Sequence, residues 1–323
     1  MTLESPRDPR LASADPGVRR IAVLHIADAE DDDDIPQLAG ALRDDAAAEV
    51  RAEAARVLGG WGHPDAVDAL AGALLDPDAG VRANAAGALG QLKDASAGLR
   101  LVPWASHADP GVRAAALRGL KELRIPAAAE PARASLEHAD PAVRREAVGV
   151  LGWLKSSAAL PAIARLATAD DDSEVRRVAT GALGLSSETG HATVLPALLA
   201  ALRDASWPVR EEAATTLAKL VPPDALAALL AAMADEAWQV RLRAARALGR
   251  LRDAAALPAL IEALAHPMGN LRKEAAVALG EIGASAAAPA LEVAAADPDP
   301  EVRKTARLAL SRLASDTSAS TAA

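Results

Sequence analysis

The chain of 323 residues has no cysteine, no phenylalanine and no tyrosine. The missing cysteine excludes disulfides, a thiolate nucleophile and any cysteine-ligated zinc or iron–sulfur centre. With five tryptophans as its only aromatics and a hydrophobic fraction of 51%, the core must be built from Ala, Leu, Val and Ile, small side chains that let backbones approach closely. Long apolar runs are missing too. Charged residues punctuate every candidate helix, so no stretch approaches the roughly 20 residues of a membrane span. Residues 1–14 are polar and interrupted by proline, unlike a secretory signal, and the expected location is cytoplasmic. Basic charge is in deficit, 35 Lys and Arg against 44 Asp and Glu, for a net charge of -9. General nucleic-acid binding, which needs a basic stripe to displace counterions, is therefore not expected.

What the chain does contain is a repeat. The pair Val-Arg, once Leu-Arg, begins at Val18, Val50, Val81, Val112, Val143, Val175, Val209, Val240, Leu271 and Val302, at intervals of 31 to 34 residues. A fixed period of this length means supersecondary units that bury their apolar faces only against one another. The expected division is an N-terminal segment 1–14, a single solenoid over 15–314 and a disordered tail 315–323.

Counted from each Val or Leu as zero, position +4 is Ala in all ten units and +8 is Leu in nine, with Ile26 in the first. Together with +11 these make one apolar helical stripe. Gly at +9 in six units (Gly59, Gly90, Gly152, Gly184, Gly249, Gly280) reads as a helix C-terminus. Asp15, Asp78, Asp109, Asp140, Asp172, Ser206 and Asp299 stand where an N-cap belongs, often with proline next. A first helix precedes each, as in Leu257-Pro258-Ala259-Leu260-Ile261. The fold class is all-α, an α-solenoid of about ten helix-turn-helix units.

The Asp-x5-Arg pattern with Val before the Arg, followed by Ala and Leu-Gly, resembles HEAT repeats, and the unit length is similar to the bacterial phycobilisome-lyase-type subclass. The resemblance implies a hydrogen-bond ladder between repeats, built from Asp45, Asp76, Asp170, Asp204, Asp235 and Asp297 with Arg51, Arg82, Arg176, Arg210, Arg241 and Arg303. Repeat nine departs, with His266 and Met268 where acids usually sit. It also implies that second helices line a concave surface.

Chemistry-bearing constellations are sparse. The six histidines lie in different repeats with no i, i+4 pair, and no His-Glu dipeptide occurs to hold the di-iron centre of a HEAT-repeat hydroxylase. The run Glu30–Asp34 lacks the Gly and spaced Asp of a calcium loop. Ser186, Glu188 and His191 share a loop, without a visible oxyanion hole. No catalytic residue, metal ligand or cofactor is expected. Trp153, at +10, falls where other units carry Gln91, Glu122 or Arg250, so its register points away from the core. With Gly149, Val178, Gly181 and Leu185 it marks an expected apolar, shallow patch on the second-helix face, flanked by Arg118, Arg243 and Arg246. Trp207 and Trp238, one residue after the cap position, mark a secondary surface along the turns.

These features point to a non-catalytic scaffold binding another protein or peptide in a concave groove. The alternative is a lyase or chaperone-like subunit for a bulky apolar cofactor such as a tetrapyrrole, with Arg118 or Arg246 pairing a propionate.

Overall fold

Proline and aspartate set where the second helices start, and the structure, a computed structural model describing residues 8–185 and 191–321, shows how. Asp15, Asp78, Asp109, Asp140, Asp172 and Asp299 each accept a backbone N–H from the first turn of the helix that follows. Ser206 holds the cap position without a side-chain bond. Its helix instead starts on Trp207-Pro208, whose ring fixes a helical φ. Among the described residues all regular structure is helical.

Packing divides the chain into two compact units, Met1–Ala159 and Leu160–Ala323. In the first, the second helices are Pro16–Asp28, Ala48–Val57, Ala79–Leu89, Pro110–Leu120 and Pro141–Trp153, of repeats one to five. Repeat four is irregular. Its first helix is only Ala95–Gly98, followed by 3-10 turns Leu99–Leu101 and Pro103–Ser106. In the second unit the second helices are Ser173–Leu183, Trp207–Leu220, Trp238–Leu251, Gly269–Ile282 and Pro300–Thr321. Within each unit the repeats stack as an α-solenoid. Among the described residues no helix is long and apolar enough to cross a membrane.

The alanine at +4 is fully buried in all ten repeats. A larger side chain there would hold neighbouring helices apart. Of the glycines at +9, Gly90 and Gly184 end their helices as the spacing suggests, while Gly59, Gly249 and Gly280 let neighbouring helices approach closely. None of them has a positive φ. A Cβ on Gly59, Gly249 or Gly280 would stand 3.0, 2.7 or 2.8 Å from Ala88, Ala278 or Ala309, each at +7 of the next second helix. The left-handed helix end lies three residues later, at +12: Glu30, Arg124, Lys155, Val221, Arg252 and Gly283 all have φ between 50° and 75°. Of these six residues only that of repeat nine, Gly283, is a glycine.

Both terminal segments carry some regular structure. A 3-10 turn, Pro9–Ala12, is capped by Asp8 within the N-terminal segment. The last helix continues to Thr321, because nothing after Pro300 in the sequence is a glycine or proline that would stop it.

Candidate functional site

The turn between the two helices of a repeat exposes backbone carbonyls, and the arginine one turn into the second helix reaches back to them. Arg51 donates NH1 to Asp45 O and Ala46 O, while Nε and NH2 grip both carboxylate oxygens of Asp76 in the next repeat, at 2.7 and 2.9 Å. Arg19–Asp45, Arg176–Asp204, Arg210–Asp235 and Arg272–Asp297 repeat this bidentate geometry. Each such Asp also accepts the N–H two residues on, as Asp76 does from Asp78. The arginine hydrogen bond, the largest influence, and its charge hold the Asp76 carboxyl below its usual value against the cost of burial. In these five rungs the ladder therefore runs from the arginine to the acid of the following repeat, and to the carbonyls of its own turn.

Three turns carry histidine in place of the acid. His107, His138 and His266 each accept the N–H two residues on at Nδ1, mimicking the aspartate turn. Arg82 and Arg113 then donate to turn carbonyls at Asp76, Pro77, His107 and Ser106. Repeat nine is strained chemically. Arg241 donates NH1 to Asp235 O, and its NH2 lies 3.1 Å from His266 Nε2. In the neutral imidazole, Nδ1 accepting from Met268 leaves the proton on Nε2. Both atoms of the Arg241–His266 contact are then donors. Arg241 Nε is buried with no acceptor at all. Beside it opens a groove of about 470 Å³ lined by Leu230, Met233, Glu262 and Leu271. Burial first, then the charges of Arg241 and Arg272, hold the His266 pKa below its usual value.

On the second-helix face, residues at +3 and +6 are fastened between repeats by ion pairs. Arg118 lies 3.3 Å from the nearly buried Glu146, which also faces Arg145 and Lys121. Arg246 makes two bonds to Glu274, at 2.7 and 2.9 Å, and Arg243 meets Glu211 at 3.1 Å. Arg118 and Arg246 still keep nearly half of their side-chain surface in solvent.

The expected patch falls on both units, Gly149 and Trp153 in one, Val178, Gly181 and Leu185 in the other. All five residues are partly exposed. Neither glycine is bare: a Cβ on Gly149 would stand 2.7 Å from Lys121 Cδ, and one on Gly181 would stand 2.8 Å from Glu212 Oε1. Trp153 is half-buried, with the Arg124 guanidinium 5.2 Å above its ring. Trp207 is exposed and Trp238 half-buried, both at the first residue of a second helix. The loop 186–190 lies outside the described residues. Among the described residues no three His, Asp or Glu side chains stand together as a metal cluster.

The family model for HEAT repeats matches residues 35–100, 98–184, 165–239, 195–267 and 227–311. The chain belongs to the HEAT-repeat family. No curated protein matches its sequence. Among solved structures, this HEAT-repeat chain is similar to an engineered protein, with 22% identity, 94% of this chain and 97% of that one covered, and a TM-score of 0.53. It is also similar to Kap95p bound to RanGDP, with 16% identity, 94% and 49% covered and a TM-score of 0.66. A third is Kap95 in its complex with Nup1, with 16% identity, 97% and 51% covered and a TM-score of 0.64. The chain spans about half the length of the Kap95 chains.

Sequence reasoning overlooked Glu146 and Glu274 as the acids that fasten the HEAT second helices. Both stand at +3, and the signal was there: an Arg at +6 of the preceding repeat, Arg118 or Arg246, faces each of them. It also overlooked Arg124, whose place over Trp153 depends on a left-handed backbone that arginine rarely adopts.

Proposed function

We propose that this HEAT-repeat chain is a non-catalytic scaffold that binds another polypeptide. The observation that carries this reading is the second-helix face, where a half-buried tryptophan and half-exposed arginines are held in place by inter-repeat pairs. Pre-ordered aromatic and arginine side chains are the residue types that dominate binding energy at protein interfaces. Support by analogy comes from Kap95, solved with RanGDP and with Nup1. A flat tetrapyrrole fits less well, because Arg124 covers one face of Trp153 and Glu146 and Glu274 already neutralise Arg118 and Arg246.

The test is capture from the native cell with wild type and Trp153→Ala in parallel, followed by titration of the captured partner and absorption spectroscopy of the eluate. The expected result is a polypeptide whose affinity falls by about 2 kcal/mol in the variant. A visible chromophore without protein would overturn the reading in favour of a phycobilin-lyase-like subunit.

A further inference from the structure

The ladder itself shows what is missing at repeat nine. In five rungs the Nε and NH2 of an arginine meet an aspartate carboxylate at 2.7 to 3.0 Å. At Arg241 the same two donors face a buried void of acceptors and an imidazole N–H. Among the described residues this Nε is the one buried side-chain polar atom with no hydrogen-bond partner, so the desolvation of a charged donor is left uncompensated there.

The groove next to these donors gives them access to a ligand. It is open along the turns, holds about 470 Å³ and is walled by Leu230, Met233 and Leu271. That is several times what one carboxylate needs, so the ligand carries apolar groups beside its acid. Glu262 on the groove's rim disfavours a run of acids and selects a single one. We propose that this groove takes one acidic side chain of a partner polypeptide, flanked by apolar residues, whose carboxylate completes the rung on Arg241. A polypeptide is the occupant because every intact rung is filled by a carboxylate on a short stem from an extended turn, with its backbone running along the ridge. The imidazole stands against NH2 but is held by a single hydrogen bond, from the Met268 N–H, and its contact with Arg241 opposes two donors. Turning the ring aside therefore gives up little. The inference rests on the scaffold reading for its kind of ligand, but its readout is local to Arg241 and independent of Trp153.

The experiment follows the Arg241 Nε–H resonance in the full chain labelled with nitrogen-15, assigned by its loss in Arg241→Lys. The probes are acetyl-Leu-Asp-Leu-amide, its Asn counterpart and isovalerate. The expected result is a saturable shift with the Asp peptide, and binding weaker by about tenfold or more for the Asn peptide, the scale of one charge-assisted hydrogen bond. His266→Asp supplies the carboxylate internally. It should raise the melting temperature and weaken the Asp peptide by about tenfold or more. No saturable shift at millimolar peptide, or equal binding by the Asn peptide or by His266→Asp, would overturn the site. Isovalerate binding as tightly as the peptide would overturn the polypeptide occupant. Neither outcome touches partner capture through Trp153, so the two readings fail separately.

Discussion

An arginine on this ladder divides one guanidinium between two repeats, NH1 for its own turn and the Nε–NH2 edge for the next acid. Arg210 is the most enclosed example, bonded to Asp204 O, Ala205 O, Asp235 and Glu236. Replacing it by Ala should cost about 1 to 3 kcal/mol, because the turn carbonyls and Asp235 lose their donor. Lysine should recover little, since one ammonium cannot span both acceptors. Urea melts of the two variants check this. The ladder carboxylates also set a pH dependence. Asp45, Asp76 and Asp297 are held below their usual values chiefly by their arginines. A depressed folded pKa means stability that is full above the unfolded value of about 4 and lost as pH falls through the folded one. His266 has the opposite chemistry and the same direction. Its neutral form is favoured in the fold, so stability falls as pH drops below about 6.5, where the unfolded chain takes up the proton first. Melts between pH 7.5 and 5.5 should therefore show a loss in wild type that His266→Asp reduces.

At the scale of the helix, glycine is found where two backbones meet, while five of the six left-handed helix ends carry another residue. Gly249→Ala should destabilise by about 1 to 3 kcal/mol, because its new methyl would sit 2.7 Å from the Ala278 Cα, an overpacking that outweighs the roughly 1 kcal/mol gained in helix propensity. Val221→Gly should do the reverse. Val221 has φ 50°, a strained position for a β-branched residue, and relief of about 1 kcal/mol is expected on the scale of the left-handed penalty. Paired thermal melts decide both signs. Repeat period, Ala at +4 and the aspartate caps were all legible, because each follows from helical spacing or a local hydrogen bond. The close approach of Gly59, Gly249 and Gly280 to Ala at +7 of the next repeat was not, because it depends on how two helices cross. The rung defect at His266 was half legible. The sequence showed a histidine where an acid belongs, but only the geometry shows that Met268 fixes its tautomer against Arg241.

For the whole molecule, the sequence carries the solenoid class and the family, while the partner depends on surface chemistry that the repeat does not encode. Acidic residues exceed basic ones for a net charge of -9, and Arg118, Arg243 and Arg246 are paired with Glu146, Glu211 and Glu274. Random duplex DNA at physiological salt should therefore bind weakly, and micromolar affinity with a steep salt slope would contradict this. The central claim is that the second-helix face holds a polypeptide. Hydrogen–deuterium exchange of the full chain, with and without its captured partner, tests that most directly. The expected result is slower exchange in the second helices and following turns around Arg118 and Trp153. Protection confined to the first helices, or a captured chromophore with no protein, would contradict the account.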